Sequence, residues 1–265
     1  MRAAATLDAT GGGVRWRDAP PVVLRPTGRD RVHLVHAAGG PLGGDELSLR
    51  ARVAAGCALT VSSVAATVVQ PGVGAAPASW RVDLTVGAGA CLRWTPQATV
   101  VTDAATFHSA VHAELAEDAF LLVREQVLLG RSGQAGGRYR GGLAVTVGGR
   151  PLLRHETVLD GRDPDLSGPA GSGGYRVLGT LLVAGPGVTE EQRGGVEADL
   201  RWAVLPLAGP GYLVLVLGRT ATAVGAVLDG HERLAGGGQR PKSAFPPITG
   251  GFPQATPSPA GRPVA

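Results

Sequence analysis

From position 31 onward, apolar and polar residues alternate with a period of two or run apolar for a few positions, the mark of strands with one or both faces buried. The pattern predicts strands over 31–36, 47–53, 58–69, 80–86, 91–102, 107–115, 120–129, 143–147 and 152–159. Strand character resumes over 175–183 and 213–217, after a Pro, Asp, Gly and Ser-rich loop at 163–174. Residues 1–30 read as an edge strand or two among loops. A helix is predicted from Thr189, where Gln192 completes a capping box, and another over 220–234.

The strands carry a repeat. Val53-Ala-Ala-Gly56-Cys57-Ala-Leu59 recurs as Val86-Gly-Ala-Gly89-Ala90-Cys-Leu92 and more weakly as Leu115-Ala-Glu-Asp118-Ala119-Phe-Leu121. The first two copies also share a later Ala-Thr-Val-Val, at 66–69 and 98–101. Strand, tight turn and strand at a fixed spacing of about 30 residues suggest stacked β layers burying their apolar faces on one another. A plain antiparallel sandwich is the alternative. The expected fold is therefore mainly β, a single large domain of stacked, β-solenoid-like sheets with about two short helices over 1–235. The last segment, 236–265, is so rich in Gly and Pro that a disordered tail is expected.

Composition narrows the function. Gly and Pro make up 62 of 265 residues, which fits short strands and tight turns rather than long helices. The net charge of +4 comes from 25 cations scattered singly, against nucleic acid as the main partner and in favour of a solvated basic surface or an acidic protein partner. No apolar run approaches the ~20 residues of a membrane helix, and no signal-peptide core is present, so the reading is cytoplasmic. Cys57 and Cys91, both in the repeated turn, are either small corner residues or a disulfide or metal pair.

The candidate chemistry lies in a few polar residues. His108, His112 and Glu114 would suit a metal on a helix, but their segment has strand periodicity, which puts the two imidazoles about 13 Å apart. Four glycines, Gly39, Gly40, Gly43 and Gly44, precede Asp45 in a tight reversal, so Asp45 either caps that turn or lines a passage. Glu125 interrupts an apolar strand and needs either a partner, Arg124 or Arg131, or a functional reason. In His155-Glu156 one side chain must face inward. Hydrolase, zinc-protease and dinucleotide motifs are absent.

These residues in order, Gly39-Gly-Pro-Leu-Gly-Gly-Asp45, Ala55-Gly56-Cys57 with Ala65-Ala66-Thr67, Leu92-Arg-Trp94-Thr-Pro96-Gln97, and Glu125 with Leu129-Gly130-Arg131, resemble the urease accessory protein UreD (UreH) family. The resemblance implies an all-β fold with two helices. It also implies a non-enzymatic scaffold that joins UreF and the GTPase UreG in a complex delivering nickel to urease apoprotein. An internal tunnel would carry Ni²⁺ in transit, with Asp45, Glu125 and Glu156 as exchangeable oxygen ligands and no tightly bound cofactor. The chain departs from the family pattern at Val68, Val69 and Gln70 and at Gln134. A rival reading is a stand-alone β-solenoid binding module, for example for carbohydrate, although only eleven aromatic residues are available for such a surface.

Overall fold

A computed structural model describes residues 1–236 of the chain, apart from 75, 169 and 198. The strands are β1 (Arg2–Thr10), β2 (Gly13–Arg17), β3 (Val22–Pro26), β4 (Arg31–His36), β5 (Glu46–Val53), β6 (Ala58–Ser63), β7 (Thr67–Val69), β8 (Ala78–Val86) and β9 (Cys91–Thr95). They continue with β10 (Thr99–Val101), β11 (Thr106–Leu115), β12 (Phe120–Leu129), β13 (Arg138–Val147), β14 (Arg150–Asp160), β15 (Val177–Ala184), β16 (Arg193–Val196), β17 (Leu200–Pro206) and β18 (Gly211–Gly218). Two helices complete the set, the four-residue α1 (Pro164–Ser167) and the 16-residue α2 (Ala221–Gly236).

Two stacked sheets result. One has seven strands in the order β14-β13-β11-β8-β5-β1-β2; the other runs β16-β17-β18-β15-β12-β9-β6-β4-β3, with β7 and β10 joined beside β12. Each sequence repeat sends one strand to each sheet. Thus β5, β8 and β11 pair in parallel in the first sheet, and β6, β9 and β12 pair in parallel in the second. The repeated turn closes with the same bond in all three copies: the amides of Cys57, Ala90 and Ala119 donate to the carbonyls of Ala54, Gly87 and Ala116. The turns also bond one another, Gly56 N–H to the Ala88 carbonyl and Cys91 N–H to the Cys57 carbonyl. This is the β-solenoid-like stack that the repeat predicts.

The core follows from period-two burial. Inward residues of both sheets, among them Leu7, Leu49, Val82, Leu84, Leu92, Trp94 and Leu121, form one continuous apolar cluster. A second cluster lies on the outer face of the larger sheet, where Val224 and Leu228 of α2 pack. A Cβ on Gly179 would lie 2.5 Å from Val224, so glycine there lets the helix approach the sheet. Arg124 ties α2 down through Asp229 (2.5 Å) and Glu232 (3.4 Å), and Gln126 donates to the Ala221 carbonyl.

Several expectations are corrected. The helix predicted from Thr189 is instead the strand β16: Gly194 and Gly195, which would end a helix, let the chain lie against Trp202, where any Cβ would come within 2.8 Å of Trp202 atoms. The spans 58–69 and 91–102 each break in two. Pro96 has no N–H for the ladder, and the Ser63 hydroxyl replaces ladder bonds by accepting from Gln97 N–H and donating to the Ala65 carbonyl. In the N-terminal segment, β1 is interior to its sheet, paired with β5 as well as β2. The Pro, Asp and Ser-rich loop contains α1, whose N-terminus is capped by Asp163. The predicted tail lies outside the described residues from 237 onward.

The glycine turn before β5 has two separate demands. Gly43 sits so close to Gly72 that a Cβ would lie 2.7 Å from the Gly72 nitrogen, whereas Gly44 has φ +89° and open space. Gly43→Val and Gly44→Val are each expected to cost roughly 1–3 kcal/mol, the first by collision and the second by backbone strain. Gly39→Ala, at a position with nothing within 4 Å, leaves the midpoint of urea unfolding unchanged.

Candidate functional site

The register of β12 aims one carboxylate into the space between the sheets. Leu121, Val123, Val127 and Leu129 point inward from this strand, and Glu125 stands among them, while Arg124 and Gln126 point outward to α2. Glu125 therefore has neither expected arginine partner: Arg124 holds the helix, and no ion pair joins Glu125 to Arg131 among the described residues. Its one hydrogen bond comes from the Ser109 hydroxyl of β11, at 3.3 Å. Protein surrounds the side chain, yet the carboxylate keeps some free surface because it borders a cavity.

Two cavities meet at this carboxylate. The first offers about 40 Å³ to the centres of water molecules and is lined by His36, Trp80, Trp94, Gln97, Ser109 and Glu125, among others. The second, about 10 Å³, is lined by His155, Thr157, Thr180 and Gly141. Glu125, Val127 and Tyr139 belong to both. By volume the first holds a few waters and the second about one. Gly141 makes this junction possible, since a Cβ there would lie 2.1 Å from the Tyr139 hydroxyl. Beyond Pro96 and Gln97, which wall the first cavity, lies an outer groove of about 450 Å³ bounded by Arg93, Arg124, Asp229 and Glu232.

Burial shifts every titratable group at the junction toward its neutral form. Burial pushes the Glu125 carboxyl up to about 7, with the Ser109 hydroxyl pulling the other way. Near neutral pH the group is thus divided between acid and carboxylate, and a cation at that point competes with a single proton. Burial lowers the pKa of both His36 and His155, which favours the neutral imidazole at each. His36 packs edge-on against Trp80 and its Nδ1 has no hydrogen-bond partner; His155 Nε2 lies 3.0 Å from the Thr157 hydroxyl. Burial, and then the charge of Glu125, hold the Tyr139 phenol well above its usual range, so it remains a neutral hydroxyl.

The other two acids expected at the site are elsewhere. Asp45 caps the glycine turn, accepting from Leu42 N–H and the N-terminal ammonium, each at 2.9 Å. Burial opposes its ionisation, but those two donors outweigh it and lower the pKa. Glu156 lies on the outward side of β14 and pairs with Arg140 at 2.9 Å. Its neighbour His155 is the inward residue. Asp45, Glu125 and Glu156 are therefore not brought together, and among the described residues no three His, Cys, Asp or Glu side chains group to hold a metal ion.

The remaining candidates resolve by parity along their strands. His108, His112 and Glu114 line the outward face of β11, with His112 3.4 Å from Asp83. Cys91 and Ala58, register partners, pack toward the outer cluster, and Cys57 packs toward the inner one, so the two thiols face opposite sides and form no disulfide. Gln134 closes its own loop by accepting from Arg131 N–H. Val68 is half-buried in β7. Sequence reasoning missed His36, Ser109 and Tyr139. The inward phase of β4, β11 and β13 was the available signal for them.

A family model described as UreD urease accessory protein matches residues 6–242. The chain belongs to the UreD family. It is 40% identical to the urease accessory protein UreD of a Parafrankia strain over 86% of each chain. It is 36% identical to that of Frankia casuarinae over 84% of each, and 37% identical to that of Streptomyces avermitilis over 86% of this chain and 95% of the relative. The UreD match spans every element that builds the cavity, from β4 to β15.

In this UreD-family chain the Glu125 carboxyl has a direct consequence for stability. Its folded pKa of about 7 lies above the ordinary 4.5, so between these values the folded state keeps a proton that the unfolded chain has released. Stability contributed by this group falls as pH rises through that window and levels off above it. Glu125→Gln is expected to match the parent near pH 4.5 and to be more stable by up to about 3 kcal/mol at about pH 8, as read by calorimetric unfolding. A variant less stable than the parent at both pH values would contradict the assignment.

Proposed function

We propose that this protein acts in urease maturation as a non-enzymatic scaffold, joining UreF and the GTPase UreG in a cytoplasmic complex that delivers nickel to urease apoprotein. Ni²⁺ is the cargo, and it passes between the two sheets by way of Glu125. The observation that carries this reading is the inward Glu125 carboxylate shared by two cavities, with its pKa of about 7. Carboxylate oxygen and neutral imidazole nitrogen suit Ni²⁺, and Glu125, His36 and His155 supply them in the walls of those cavities. Donors spread along a path rather than gathered in a group favour transit over storage, since no single point offers the ion a full ligand set.

Membership in the UreD family supports the maturation role. The absence of a helix long and apolar enough to cross a membrane, among the described residues, is compatible with it. The carbohydrate-module reading loses ground because Trp94 is buried and Trp80 lines the cavity, which leaves no row of exposed rings from the longest aromatic side chains of the stack.

The test is co-expression with the urease genes. Glu125→Gln is expected to lower urease activation several-fold while UreF still co-purifies, and because this variant is no less stable near neutral pH, the loss reports on the passage and not on folding. Glu156→Gln, an exposed pair member, leaves activation intact, whereas Asp45→Asn lowers the unfolding temperature by loosening the turn. The isolated chain is expected to hydrolyse no GTP. Full activation by Glu125→Gln would remove Glu125 from the nickel path, and robust GTPase activity of the chain alone would overturn the scaffold reading.

A further inference from the structure

The outward face of the seven-stranded sheet carries many arginines, and about half of them are already engaged. Arg2 pairs with Glu46, Arg81 with Asp83, Arg138 with Asp160 and Arg140 with Glu156. Four others differ. Arg15 and Arg17 of the edge strand β2, and Arg50 and Arg52 of β5, are exposed and make no ion pair or hydrogen bond among the described residues.

Register places these four at the corners of a rectangle. Arg17, Thr6 and Arg50 lie in one row across β2, β1 and β5, and Arg15, Asp8 and Arg52 lie in the next row of the same face. Strand spacing puts the arginines of a row about 10 Å apart, and the rows are about 7 Å apart along the strands. Asp8 is the one acid inside the rectangle. Asp83, the register neighbour of Arg50, is taken by Arg81 and His112. The quartet therefore keeps an uncompensated charge of about +3 on a flat surface, where like charges repel in the free protein. Planar guanidinium groups at this spacing match carboxylates, which they hold by paired N–H bonds.

We infer that the β2–β1–β5 corner of this sheet is a docking surface for an acidic segment of a partner protein, with two or three carboxylates seated among Arg15, Arg17, Arg50 and Arg52. Charge complementarity defines the occupant. A nucleic acid fits less well, because a phosphate chain leaving the rectangle meets Glu46, Asp83 and Glu114 on the same face, and that face offers no Phe, Tyr or Trp for base stacking. The surface faces away from the inter-sheet cavity, and the inference stands independently of nickel transit.

The test uses the full chain and a fluorescein-labelled deca-glutamate peptide, followed by anisotropy at low and near-physiological salt. Binding that weakens with salt is expected, and Arg50→Ser/Arg52→Ser and Arg15→Ser/Arg17→Ser should each lower affinity roughly ten-fold with unchanged unfolding temperature. The double variant Arg138→Ser/Arg140→Ser removes equal charge from the far end of the same sheet and should change affinity less than about two-fold. The inference is overturned if the parent does not bind at low salt, if all three double variants lose affinity equally, or if a ten-nucleotide oligo-dT binds more tightly than the peptide.

Discussion

Parallel register through β5, β8, β11 and β13, matched by β6, β9 and β12 in the facing sheet, decides which side of every strand looks into the shared interior. Because side chains alternate with a period of two, a slip of one residue would turn each inward set outward. The repeated turns prevent such a slip, since the amides of Cys57, Ala90 and Ala119 all close the same four-residue reversal and the turns bond one another up the stack. The cavity residues inherit their positions from this ladder. Glu125, Ser109 and Tyr139 meet because β12, β11 and β13 are held in phase, not because they are near in sequence.

Parity also accounts for what could be read from the chain beforehand. The stack, the turn positions and most strands were legible, since each repeat carries its own alternation and its own Gly or Asp corner. The inward course of Glu125 was legible from the apolar residues two positions on either side. Glu156 was not, because its strand alternates weakly and either it or His155 could have faced in; the pairing of β14 with β13 puts His155 opposite the inward Leu143. Asp45 could equally have capped a turn or lined a passage, and only the three-dimensional approach of the chain terminus supplied its second donor. The helix expected from Thr189 failed for a tertiary reason: Trp202 on the neighbouring strand offers Gly194 and Gly195 a pairing that a capping box alone cannot outweigh.

An apolar residue at position 125 would make a tighter protein. A buried carboxyl with one long hydrogen bond and no cation opposes folding as soon as it ionises, and the cavities beside it forgo dispersion contacts that a filled core would have. The chain nevertheless surrounds this defect with a well-packed stack, placing Trp94 in the wall of the same cavity and clearing Gly141 for the Tyr139 phenol. Such a local conflict inside an otherwise consistent fold is where function is expected. Its energetic cost is of the size that binding a divalent cation can reverse, since the ion supplies the charge the carboxylate lacks.

The two stacked sheets thus present two sites with opposite electrostatic logic, one inside the stack on β12 and one on the outer face of the seven-stranded sheet. On the inner side a single acid lies in a largely apolar lining, and burial raises its pKa to about 7. On the outer side the arginines of β2 and β5 are exposed and form no ion pair among the described residues. Bulk water screens the outer charges, whereas the inner one meets only the few waters its cavities can hold, so salt tunes the first and protons tune the second. The outer arginines and the inner carboxylate can therefore be changed separately, because β1, β5 and β8 hold the first in one sheet while β9 and β15 hold β12 and the second in the other.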